Sequence, residues 1–81
     1  MAAKEVQKSL RFKLTFPEKV LGEPIIHRLS HDHNVVPNIM RGRITEKNAW
    51  LEVELVGSSK NIDKAVKFLS ERGVALQKLD G

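Results

Sequence analysis

The sequence predicts an α+β sandwich with the element order β-α-β-β-α-β. Two stretches alternate strictly between apolar and polar residues. Leu10, Phe12, Leu14 and Phe16 are interleaved with Arg11, Lys13 and Thr15, and Leu51, Val53 and Leu55 with Glu52 and Glu54. Period two is the signature of a half-buried strand. A third stretch breaks that period: Ile62, Ala65, Val66 and Leu69 recur at i, i+3, i+4 and i+7, the apolar stripe of a helix.

Taken in order, the first strand covers 10–16 and ends at Pro17. The segment 22-GEPIIHRLSHDHN-34 predicts a helix, with Pro24 suited to its first turn and Glu23 complementing the dipole. Ile25, Ile26 and Leu29 share one face. The second strand, 34-NVVPNIMRGRI-44, leads through the polar turn 45-TEKN-48 into the third, 49–56, which Gly57 closes. Ser58 or Ser59 serves as N-cap of a second helix reaching Arg72, and Gly73 fits the left-handed position after it. A short strand, 74-VALQKL-79, comes last.

This order is the split βαβ plan, the ferredoxin-like fold. It implies a four-stranded antiparallel sheet in order 4-1-3-2 with two helices on one face. The second strand is then an edge, which explains Pro37: proline lacks a ladder donor, and an edge tolerates it and is blunted by it. The neighbouring Asn38 is not explained this way. By parity with Met40, Gly42 and Ile44 it is expected to face the core, either satisfying backbone groups near Pro37 or offering its carboxamide to a polar ligand. The domain is expected over 8–81, with 1–7 as an N-terminal extension.

Eighty-one residues make one domain with a thin core, burying roughly 60% of the surface its unfolded chain exposes. With 41% hydrophobic and 30% charged residues the composition is globular. The absence of cysteine excludes disulfides, thiolate nucleophiles and cysteine-based metal centres and points to the cytoplasm. No stretch approaches the roughly 20 apolar residues of a membrane helix, so no membrane insertion is expected. The +4 net charge permits an anionic partner. On the open sheet face, however, Glu52 and Glu54 are expected to pair with Arg11 and Lys13, an arrangement that repels a phosphate backbone. A single tryptophan makes no stacking platform, so nucleic acid is not the expected partner.

Catalysis is not expected either. The two glutamates are neutralised rather than poised as an acid–base pair, and neither a nucleophile elbow nor a phosphate loop is present. His27 and His31 stand four apart on the first helix, with Asp32 and His33 beside them. A metal site is conceivable there, but the HExxH pattern is missing and the expected reading is a solvated helix face with no metal. Trp50, outward on the third strand, is either a cross-strand packer or an interface anchor. Arg41 joins it as a candidate interface residue.

Asn38-Ile39-Met40 resembles the Asn-Ile-Leu motif of the NIL domain family, with Met40 in place of leucine. The LTFP of Leu14 to Pro17, the EPII of Glu23 to Ile26, Gly42, Ile44, Gly57 and 69-LSERGVAL-76 are similar to the family pattern too, so the resemblance spans about residues 8 to 79. It implies a ferredoxin-like, non-enzymatic regulatory module. In methionine-uptake ABC transporters such a domain follows the ATPase, dimerises and binds methionine; in other proteins it is fused to a ferredoxin-type cluster domain and associated with sulfur-amino-acid metabolism. The short 45–48 turn and Trp50 look more like the second group. The expectation is therefore a homodimer that binds methionine or a related amino acid through Asn38, Ile39 and Met40, without a cofactor. The alternative is an interaction module for a transporter ATPase or a ferredoxin-type partner, with RNA binding a less favoured third class.

Overall fold

The computed structural model describes residues 7–79. Its elements are β1 (Gln7–Phe16), a 3-10 turn (Glu18–Val20), α1 (Ile25–His33), β2 (Val36–Ile44), β3 (Ala49–Ser58), α2 (Ser59–Glu71) and β4 (Ala75–Leu79). The four strands form one sheet in the order β2-β3-β1-β4, every pair antiparallel. This is the ferredoxin-like α+β sandwich that the sequence predicts.

The alternating residues do what their period requires. Phe12, Leu14 and Phe16 of β1 and Val53 and Leu55 of β3 are buried under the helices. Ile25 and Leu29 of α1 and Ile62, Ala65 and Leu69 of α2 meet them from above. Leu14 pairs with Leu51 on one side and Leu76 on the other, so the core runs continuously across the sheet. Burying a side chain of this kind contributes about 1.5–3 kcal/mol, which makes this two-layer stripe the main source of stability.

Several boundaries differ from the sequence reading. β1 begins at Gln7, where the polar residues Gln7, Lys8 and Ser9 pair with Ser58, Gly57 and Val56; alternation could not signal this stretch because both of its faces carry polar groups. Residues 1–6 of the expected extension lie outside the described residues. Pro24 is the N-cap of α1 rather than a member of its first turn, and it supplies no side-chain capping bond. The chain before it forms the 3-10 turn, whose Val20 is buried. An ion pair between Glu23 and Arg72 ties this loop to the end of α2.

The helix ends follow local chemistry. Asn34 takes the left-handed conformation at φ 55°, which asparagine tolerates better than most residues, and stops α1. At the start of α2 the Ser58 side chain accepts a hydrogen bond from the Asn61 backbone N–H at 3.1 Å. Gly73, at φ 88°, turns the chain into β4, as the sequence predicts.

Candidate functional site on the edge strand

The register of β2 decides what its motif can do. Asn38 lies opposite Glu54, Ile39 opposite Val53 and Arg41 opposite Glu52, so Met40 has no partner on β3. It is the extra residue of a β-bulge, which reverses the in-out parity of the strand around it. Directly opposed residues share a face. Asn38 and Arg41 therefore share the open face with the glutamates, while Ile39 shares the helix side with Val53. The expectation that Asn38 faces the core with Met40, Gly42 and Ile44 is corrected here. That parity holds for Gly42 and Ile44, opposite Leu51 and Ala49, and fails across the bulge.

On the open face Asn38 donates from Nδ2 to Glu54 Oε1 at 3.4 Å, and Ser9 donates to Glu54 Oε2 at 2.5 Å. Arg11 Nε stands 4.0 Å from the same carboxylate. The bonds from Ser9 and Asn38, helped by the Arg11 charge, hold the Glu54 carboxyl below its ordinary range. The Asn38 carbonyl oxygen accepts no hydrogen bond among the described residues. Asn38 thus presents a free acceptor held in place by an anion.

Glu52 is engaged differently from the sequence expectation. Its partner is Arg41, which donates from Nε at 2.9 Å and from Nη2 at 3.2 Å. This two-pronged contact lowers the Glu52 pKa, with a smaller contribution from the Lys13 charge. The Lys13 ammonium instead stands over the Trp50 ring, 4.9 Å from its centroid, a cation–π arrangement. Arg43 is the register partner of Trp50 on the other side. Trp50 is half-buried, with the Lys13 ammonium over its ring and Arg43 beside it in the register.

The rest of β2 is apolar and open. Among the described residues the large exposed hydrophobic side chains are Val36, Ile39, Met40 and Ile44, and all four belong to this one strand. Beyond Ile44, on the helix side, an apolar cleft of about 180 Å³ is lined by Phe16, Val20, Leu21, Ile26, Ile44 and Leu51 among others. It opens on the face opposite Asn38 and six residues further along β2, so one chain does not bring the asparagine and the cleft together. The sequence reading placed Phe16, Ile26, Ile44 and Leu51 as core-facing and did not assign Val20 or Leu21. The role of Glu54 as the Asn38 partner depends on the bulge, which the sequence does not announce.

The histidines separate. His27 and His31 are stacked and exposed, and His33 turns to Phe68 of α2 with 4.7 Å between ring centroids. No group of three or more metal-type side chains is gathered among the described residues.

The model of the NIL domain family matches residues 10–78. The chain is a NIL domain. It is 32% identical to methionine import ATP-binding protein MetN 1 of Bacillus cereus over 82 aligned positions, covering 90% of this chain and 24% of that protein. The NIL domain thus spans about a quarter of the curated relative it matches. In three dimensions it is similar to the C-terminal domain of an ABC transporter ATP-binding protein from Enterococcus faecalis, with a TM-score of 0.78, 22% identity and coverage of 89% and 84% of the two chains. That likeness supports the fold. No helix among the described residues of the NIL domain is long and apolar enough to cross a membrane.

Proposed function

We propose that this NIL domain is a non-enzymatic, cytoplasmic regulatory module that binds methionine or a related sulfur amino acid between two copies of itself. The observation that carries the proposal is the composition of β2. Its exposed Val36, Ile39, Met40 and Ile44 sit on the same strand as an asparagine whose carbonyl oxygen is free. An edge strand of nine residues with this much apolar surface is a template for association unless it is covered. A second copy supplies the cover, and the same contact encloses a small ligand that a single edge leaves open to water.

In this reading Asn38 hydrogen-bonds the polar end of the amino acid, with Glu54 fixing the carboxamide. Ile39 and Met40 provide apolar contact for the side chain, to which a thioether in Met40 is well adapted. The match to an ATP-binding protein whose name specifies methionine import supports the choice of ligand, and a transporter ATPase is the natural partner.

Titrating the protein with methionine and with homocysteine by calorimetry, alongside sedimentation, tests the proposal. Saturable heat with at least one amino acid, lost in Asn38→Ala while the dimer persists, is the expected result. Absence of heat from both ligands, or an unaltered isotherm in Asn38→Ala, refutes it. A second reading, docking of a partner protein on the open face, draws on Trp50 under the Lys13 ammonium, with Arg43 its register partner. It predicts instead that Trp50→Ala loses a purified transporter ATPase or ferredoxin-type partner that Asn38→Ala retains.

A further inference from the structure

The first helix carries a feature that the edge-strand reading does not use. His27 and His31 are four residues apart on α1, so their side chains rise from the same face one turn apart. Their rings lie nearly parallel, with centroids 5.5 Å apart and planes inclined by 24°. Both are exposed, which leaves their outer nitrogens open to solvent. His31 is also oriented from behind: its Nδ1 lies 2.8 Å from Asp32 Oδ1. A proton held in that contact belongs to Nδ1 and leaves the lone pair on Nε2, the nitrogen available to a metal. This is the carboxylate–histidine arrangement that fixes the tautomer and raises the basicity of metal-binding imidazoles.

We propose that His27 and His31 form a two-histidine chelate for a divalent transition metal, with Asp32 as the positioning residue for His31. Imidazole nitrogens suit copper, nickel and zinc. Metal-bound nitrogens at roughly 2.1 Å from one ion sit within about 3–4 Å of each other, so the two rings, whose centroids are 5.5 Å apart, must rotate to converge on an ion. His33 is not part of the chelate, because its ring packs on Phe68. Water or a donor from another molecule fills the remaining coordination positions.

Such a chelate has a structural consequence. α1 is a nine-residue helix whose N-cap, Pro24, offers no side-chain bond to the free backbone N–H groups. An ion bridging positions four apart staples most of that helix and binds the folded form in preference to the unfolded chain, so it raises the melting temperature.

The test uses the untagged chain and the chloride salts of copper(II), nickel(II) and zinc(II) in a non-chelating buffer. One ion per chain is expected by calorimetry, tightest for copper as the ordering of divalent ions requires, with a copper EPR spectrum showing nitrogen hyperfine structure. His27→Ala and His31→Ala should each weaken binding by roughly tenfold or more, and His33→Ala should leave it unchanged. Asp32→Ala should weaken it too, and Asp32→Asn, which keeps an acceptor oxygen, should restore much of the loss. Circular dichroism of the metal-free variants establishes that they remain folded, as substitutions at these exposed positions should. If the His27→Ala and His31→Ala variants bind copper as tightly as the unaltered chain, or if His33→Ala costs as much as either, the chelate is refuted.

Discussion

The two edges of this sheet solve the same problem in opposite ways. β4 is five residues long, carries Gln77 and Lys78, and tucks Leu76 and Leu79 partly against its surroundings. Shortness and a lysine are the usual defences of an edge. β2 is nine residues long and presents Val36, Ile39, Met40 and Ile44 to solvent, with Pro37, a bulge and the charges of Arg41 and Arg43 to deter pairing. The contrast teaches that the exposed apolar surface is not a by-product of a small core. Both edges carry charge, but among the described residues the large exposed apolar groups collect on β2 alone, which is the surface the proposed dimer covers.

The largest expected effect comes from Gly42, which lies opposite Leu51 of β3 with no room for a side chain. A Cβ there would lie 2.6 Å from the Trp50 carbonyl oxygen and overlap Leu51 Cδ2. The backbone of β2 must shift to admit it, so Gly42→Ala should cost about 1–3 kcal/mol in urea unfolding. The matching enlargement on β4, Ala75→Val at an exposed position, should stay within about 0.5 kcal/mol. Equal costs at the two sites would erase the difference in packing between the edges.

A smaller effect on stability, but a clear one on assembly, is expected from charging the apolar face of β2. Ile39→Lys combined with Ile44→Lys removes exposed apolar groups, so the folded chain should lose no more than about 0.5 kcal/mol. Sedimentation should nevertheless show the proposed dimer replaced by monomer, while Gln77→Lys on β4 leaves the oligomeric state alone. A double variant that still dimerises would move the contact away from β2.

Acid should produce the mildest separation. Glu52 and Glu54 have pKa values lowered in the folded state, chiefly by hydrogen bonds from Arg41 and Ser9 respectively. The sign follows from linkage: their contribution is present at neutral pH, above the ordinary glutamate value, and is lost as pH falls through the lowered folded values. Both are solvent-accessible, which keeps the effect small. β4 has no carboxylate of its own. Amide exchange should therefore show β2 loosening relative to β4 as the pH drops below the ordinary glutamate range, and Glu52→Gln should flatten that trend. Parallel loosening of both edges would mean that the ion pairs do not distinguish them.

Much of the fold was legible because its signals are local. The alternation of Leu10 to Phe16 and of Leu51 to Leu55, the stripe Ile62-Ala65-Leu69 and the Ser58 cap each depend on residues a few positions apart. The candidate site was legible in identity but not in orientation. Asn38 stands out as an asparagine in an apolar strand, and the family motif names it, yet strict alternation assigns it to the wrong face. Likewise Glu52 was matched to β1 by adjacency, whereas Arg41 of β2 reaches it with two donors.

By itself the sequence determined the element order, the sheet plan and the core stripe, because periodicity and caps are set by neighbours along the chain. Only the tertiary structure decided which face Asn38 occupies, which cation each glutamate holds, and that two of the three histidines stand together while the third packs on Phe68. The physical reason is register. Whether one residue too many on β2 becomes a bulge, and where, depends on how eight residues of β3 pair with it. That long-range alignment leaves no periodic trace in either strand.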